Sequence, residues 1–220
     1  MTAPTTSPNG APGIDSTPGI DIVFSTSPWV VDAIFDDRTL KLIGSLHRRF
    51  WDRRRKMLQS RALRGDDGLG VDLTDAAYGE VVADLRSVET DWDGRLEQFL
   101  ALRTELLTIA SVGADSAASV PTVRVRGWGE TEAGVLVDGR AVPGCVFDIV
   151  IAMTQGAEIM REGQQAFVID MPEAADDQES KLWADLFCLA EDRLGIERGT
   201  VVVVACCDPE TQVPEALVVA

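Results

Sequence analysis

The stretch QAFVIDMPEAADDQESKLWADLFCLAEDRLGIERGTVVVVAC, residues 165–206, sets the fold class. Gln165–Met171 (QAFVIDM) and Thr200–Cys206 (TVVVVAC) are short, continuous apolar runs rich in β-branched residues, the pattern of strands buried on both faces. Between them, Gln178–Leu194 repeats apolar residues at three- and four-residue steps. Leu182, Trp183, Leu186, Phe187, Ala190 and Leu194 share one face, and Gly195 supplies the stop. Strand, helix and strand in this order predict parallel pairing through a helical crossover.

Working toward the N-terminus, Val146–Arg161 reads as a helix, and Gly134–Val142 (GVLVDGRAV) as a hairpin around the turn pair Asp138-Gly139. Pro121–Arg126 (PTVRVR) alternates like a third strand, and Gly113–Ser119 is a small-residue linker. Helices are predicted over Asp37–Leu63, with Leu40, Ile43, Leu46, Phe50, Met57 and Leu58 recurring, and over Trp92–Ala110. The second presents Leu96, Phe99, Leu100, Leu106, Leu107 and Ala110 on one face. Residues 1–20 are rich in Pro, Thr, Ser and Gly, the composition of a disordered tail. The expected organisation is this tail, an N-terminal helical region over 21–112 and an α/β region over 113–220. The expected fold has about three parallel core strands, flanking helices and a small β-hairpin.

The chain has 220 residues, a net charge of −16 and one histidine, His47. So acidic a surface repels nucleic acid and anionic lipid, so neither is expected as a partner. No apolar run reaches transmembrane length, and the first twenty residues lack a basic segment followed by an apolar one, so neither a membrane span nor a signal peptide is expected. Cys145, Cys188, Cys206 and Cys207 form no C-x-x-C pair, and with one histidine the usual zinc spacings are excluded. Free thiols in a reducing, cytoplasmic compartment are expected.

Four segments resemble the malate synthase family in family order: Leu46–Arg55 (LHRRFWDRRR), Val123–Trp128 (VRVRGW), Leu136–Phe147 (LVDGRAVPGCVF) and Lys181–Thr200 (KLWADLFCLAEDRLGIERGT). The resemblance spans roughly residues 37–211. It implies a partial TIM-barrel-like fold of the malate synthase type, and an enzyme that condenses acetyl-CoA with glyoxylate using Mg²⁺. Such chemistry needs a base for the acetyl methyl, a cation for the enolate oxygen and a metal to polarise glyoxylate. Arg124 matches the enolate-stabilising arginine, and the resemblance places Arg126 and Trp128 at the substrate. Glu210 matches the metal-binding glutamate if a short insertion is allowed; without it the match is Asp208.

Each of these residues has a structural alternative. Arg124 and Arg126 share one face of a strand and can pair with acids, and Asp208-Pro209-Glu210 can be a solvated turn. The six basic residues between Arg48 and Lys56 can attract CoA phosphates or form a helix face balanced by acids; the second reading is preferred. His47 reads as a structural helix residue. The chain also departs from the family. Gly129 stands at a histidine position, Pro172-Glu173 replaces a Pro-Lys pair, and two strands between Asp91 and Trp128 are expected to be missing. The metal-binding aspartate and the aspartate base find no match before Ala220. The expectation is a chain inactive alone, completed by a complementing subunit or by self-association, or a non-catalytic accessory protein derived from the family.

Overall fold

The computed structural model describes residues 18–23, 33–64, 81–86, 92–112, 120–162, 166–172, 174–205 and 216–217. The elements in chain order are β1 (Ile20–Ile22), α1 (Asp37–Arg64), β2 (Val81–Asp84), α2 (Trp92–Val112), β3 (Thr122–Arg124), β4 (Thr131–Val137), β5 (Arg140–Pro143), α3 (Gly144–Arg161), β6 (Val168–Met171), α4 (Asp177–Leu194), β7 (Val202–Ala205) and β8 (Ala216–Leu217). The expected tail, residues 1–20, lies outside the described residues as far as position 17.

Two sheets form. The larger runs β2-β3-β6-β7-β8, with its first four strands parallel and β8 antiparallel on β7. The smaller runs β1-β4-β5 and is antiparallel throughout. Parallel neighbours cannot be joined by a tight turn. Accordingly α2 links β2 to β3, α3 precedes β6, and α4 links β6 to β7. The parallel sheet has four strands, one more than the three read from the sequence. Val81–Asp84, within the stretch read as helical region, pairs with β3. The described residues form no closed barrel.

Strand alternation gives the parallel sheet two different faces. Val123, Ile169 and Val203 are at most 1% exposed and belong to the hydrophobic cluster shared with the helices. Thr122, Arg124, Val168, Asp170 and Val204 alternate with them, and Val168 and Val204 lie outside that cluster. On the helix side, α1 packs on α3 and α4, and α2 on α3 and β2. The inward face of α4 is as the periodicity predicts, with all six residues buried. Gly195 ends the helix in the left-handed region, at φ 68°.

On α2 the inward face is rotated from expectation. Leu102 is fully buried with Leu96, Phe99 and Leu106, whereas Leu107 and Ala110 are exposed. The cause is the 92-96-99-102-106 register, which carries Trp92 and Phe99 against Phe147. The hairpin turn has Asp138 at φ 51° and Gly139 at φ 73°, the pair of positive values that a two-residue turn requires. Arg48 of α1 grips the Asp138 carboxylate at 2.8 and 2.9 Å. Among the described residues, no helix is long and apolar enough to cross a membrane.

Candidate functional site

Register brings three charged residues side by side near the C-terminal ends of β2, β3 and β6. Asp84 is the partner of Arg124, and Arg124 is the partner of Asp170. The Arg124 guanidinium is 8% exposed. It donates from Nε to Asp170 Oδ2 at 3.0 Å, and its Nη1 lies 3.5 Å from Asp84 Oδ2. Just beyond β2, Arg86 donates its backbone N–H and Nε to Asp84 Oδ1, and Nη2 to Oδ2, each at 3.2 Å. Among the described residues the row is thus two carboxylates and two guanidiniums.

The two carboxylates differ in their surroundings. Burial raises Asp84, but the hydrogen bonds from Arg86 and the charges of Arg86 and Arg124 bring it below the usual carboxylate range. Asp170 is more deeply enclosed. Burial pushes it up, and the charges of Arg86 and Arg124 do not fully offset this. Asp170 Oδ1 and Thr122 Oγ1 are both buried and have no hydrogen-bond partner among the described residues.

Arg126, two residues beyond Arg124 and past the end of β3, turns to a different set of partners. Its Nε and Nη2 donate to Asp148 at 3.0 and 2.6 Å, its backbone N–H donates to the same carboxylate at 3.0 Å, and Nη1 lies 3.1 Å from Glu132. Burial disfavours the charge, yet Asp148 and Glu132 together hold the guanidinium above its ordinary pKa. Glu132 is also 3.2 Å from Arg95 of α2, so one buried network ties together the end of β3, β4, α2 and α3. Trp128 is fully buried, with ring centroids 5.9 Å from Phe50 and 5.2 Å from Trp183. Arg126 and Trp128 therefore pack inside the protein, while Arg124 stands in the strand-end row. Asp208 and Glu210, the metal candidates, and Glu173 lie outside the described residues.

The basic run on α1 resolves into individual contacts. Arg48 pairs with Asp138, Arg53 with Asp185 at 2.7 Å, and Arg55 with Asp52 at 3.3 Å. Arg54 is buried and donates to the carbonyls of Trp128, Gly129 and Glu130 at 2.6, 3.2 and 3.2 Å, holding the loop that follows β3. His47 is buried and stacks on Trp51 at 5.0 Å, and burial lowers its pKa to about 4.

Asp84, Arg86 and Asp170 were not found by sequence reasoning. Asp170 had a signal: it is the only charged residue in QAFVIDM. Asp84 had little, because its partner Arg124 is 40 residues away. The two carboxylates of the row do not fit a magnesium ion. Asp84 and Asp170 are both bound by arginine, with the Arg124 cation between them, and no group of three or more His, Cys, Asp or Glu that could hold a metal occurs among the described residues. Cys145 and Cys188 are free thiols; Cys206 and Cys207 lie outside the described residues.

Parallel strands joined by helices, with polar side chains gathered at the strands' C-terminal ends, define the α/β class in which sites form at that end. Residues 121–211 match the family model "Malate synthase, TIM barrel domain". The chain is similar to the glyoxysomal malate synthase of Candida tropicalis, 39% identical over 37% of this chain and 15% of the relative. It is likewise similar to the bifunctional glyoxylate cycle protein of Caenorhabditis elegans, 32% identical over 38% of this chain and 9% of the relative. The glyoxysomal malate synthase of Glycine max is 34% identical over 36% of this chain and 14% of the relative. Over this part of its length the chain shows a malate synthase family resemblance. The match covers at most 15% of the length of these relatives.

Proposed function

We propose that this chain is a malate synthase-like protein whose strand-end row is where an acyl acceptor binds, with acetyl-CoA and glyoxylate as substrates, and that it does not complete the condensation alone. The observation that carries this reading is the position of Arg124. It lies within the matched segment, at the C-terminal end of β3, where a guanidinium can offer parallel N–H groups to ligand oxygens. In the chain as folded, the same guanidinium is engaged by Asp170 and Asp84, and a cation already neutralised stabilises a developing oxyanion poorly. Barrel chemistry draws on several strand ends at once, so a complementing subunit or self-association supplies the remainder. Magnesium enters through the resemblance, and the compartment is the cytoplasm.

The test is glyoxylate-dependent release of CoA in the presence of Mg²⁺, by the purified chain alone and mixed with proteins that co-purify with it. Turnover is expected only in a mixture. Turnover by the homogeneous chain overturns the requirement for a companion. Absence of turnover in every mixture overturns the enzymatic reading and leaves the second one, a non-catalytic accessory protein of malate synthase descent. Asp170 favours that second reading, because it sets a negative charge against the arginine at the expected site of an anionic substrate.

A further inference from the structure

At the start of α1, side chains at four-residue steps, Asp37, Lys41 and Ser45, share one edge of the helix with Arg38 and border a cleft of about 360 Å³. Arg193 and Leu194, at the end of α4, form its other wall. The two helices meet here because Arg38 Nη2 donates to the Leu194 carbonyl at 2.7 Å, while Arg161 of α3 donates from Nε to the same oxygen at 3.1 Å. Carbonyls in the last turn of a helix need such donors. The contact fixes the Arg38 guanidinium at the cleft and leaves its other N–H groups for further acceptors. The charge of the cleft is opposite to that of the chain. The chain carries −16, but the lining sets three cations, Arg38, Lys41 and Arg193, against one carboxylate, Asp37, which Lys41 holds. The acids next in sequence are engaged elsewhere: Asp36 accepts from the Thr39 amide at 2.7 Å, and Arg198 grips Asp192 at 2.9 and 2.7 Å. Arg193 is exposed and forms no ion pair among the described residues.

We propose that this cleft binds a phosphate dianion, free or as the monoester of a small organic molecule, at a site separate from the strand-end row. Arg38 comes from α1 and Arg193 from α4, so a tetrahedral anion between them is met from two sides by forked guanidiniums. Lys41 adds a point charge, and Ser45 borders the cleft with a hydroxyl. Leu42 and Leu194, both buried, give it an apolar floor, and its volume leaves room for the organic part of a monoester. Helix α4 runs from the C-terminal end of β6 back to the start of β7, so its last turn lies at the end of the sheet opposite the row. A ligand bridging α1 and α4 binds the folded chain alone and therefore stabilises it. The site does not rest on the reaction proposed above.

The experiment titrates the full chain with inorganic phosphate and, separately, with glycerol 3-phosphate, at slightly alkaline pH and an ionic strength held constant with sodium chloride. Backbone amide resonances report binding, and saturable shifts are expected over residues 38–45 and 193–195. Arg193→Gln and Lys41→Gln alter exposed positions, so both variants fold; each is expected to weaken phosphate binding about fivefold, and the pair about twenty-five-fold. Arg55→Gln removes the same charge from another part of α1, where Arg55 pairs with Asp52, and should leave the affinity unchanged. Tighter binding of glycerol 3-phosphate than of phosphate assigns the site to a monoester; equal or weaker binding assigns it to the free anion. Shifts that do not saturate, equal affinity in the natural chain and the double variant, or an equal loss in Arg55→Gln overturns the proposal. Phosphate binding without CoA release refutes the reaction and leaves this site standing, and CoA release without phosphate binding does the reverse.

Discussion

Replacing Asp148 by asparagine probes the buried network that closes the end of β3. Asp148 is completely buried and accepts three hydrogen bonds from Arg126, at 3.0, 3.0 and 2.6 Å. The amide keeps the volume but removes the charge, and it turns one acceptor into a donor facing guanidinium N–H groups. Glu132 still lies 3.1 Å from Arg126, but it is shared with Arg95 and cannot fully substitute. Breaking one partner of a buried ion pair costs about 3–5 kcal/mol, and the remaining carboxylate keeps the loss toward about 3 kcal/mol. In a chain of this size each kcal/mol lowers Tm by about 2–4 °C, giving a drop of roughly 6–12 °C. Urea unfolding followed by tryptophan fluorescence reads the change, since Trp128 and Trp183 are buried in contact. A loss below about 1 kcal/mol, typical of exposed pairs, refutes the reasoning; so does a loss that disappears in about 1 M salt, which screens surface charges but not this pair.

Other outcomes follow from the same structure. Trp128→Ala empties a fully buried site between Phe50 and Trp183 and should cost about 3–5 kcal/mol in urea unfolding; a change under about 1 kcal/mol means the indole is not core. His47 has its folded pKa depressed from 6.5 to about 4, so the unfolded chain binds the extra proton first. Stability from this group is present above pH 6.5 and is lost as pH falls toward 4, by roughly 3 kcal/mol; His47→Gln should flatten that part of the pH profile, and an unchanged slope contradicts the assignment. Arg48→Ala removes an exposed pair with Asp138 and should cost no more than about 1 kcal/mol, diminishing with added salt. Gly195→Ala puts a side chain on a left-handed helix stop and should cost about 1–2 kcal/mol by thermal melting, with no loss if the turn is free to rearrange.

The sequence by itself determined the elements whose signals are local. The period of α4, the Asp138-Gly139 turn and the β-branched runs at β6 and β7 state their own structure, because each depends on neighbours a few residues away. The family segments around VRVRGW and KLWADLFCLAEDRLGIERGT are legible for the same reason, being contiguous. Beyond reach were the second face of α2, where Leu102 rather than Leu107 turns inward, and the strand Val81–Asp84, whose short run becomes a sheet member only by pairing with β3. Arg124 and Arg126 look alike in the sequence. Only the tertiary structure separates them, because the acids that hold Arg126 come from α3 and β4, while those that hold Arg124 come from β2 and β6. Charge pairing between residues 22 to 46 positions apart is set by strand register and helix packing, and a linear pattern carries no record of which acid will face which arginine.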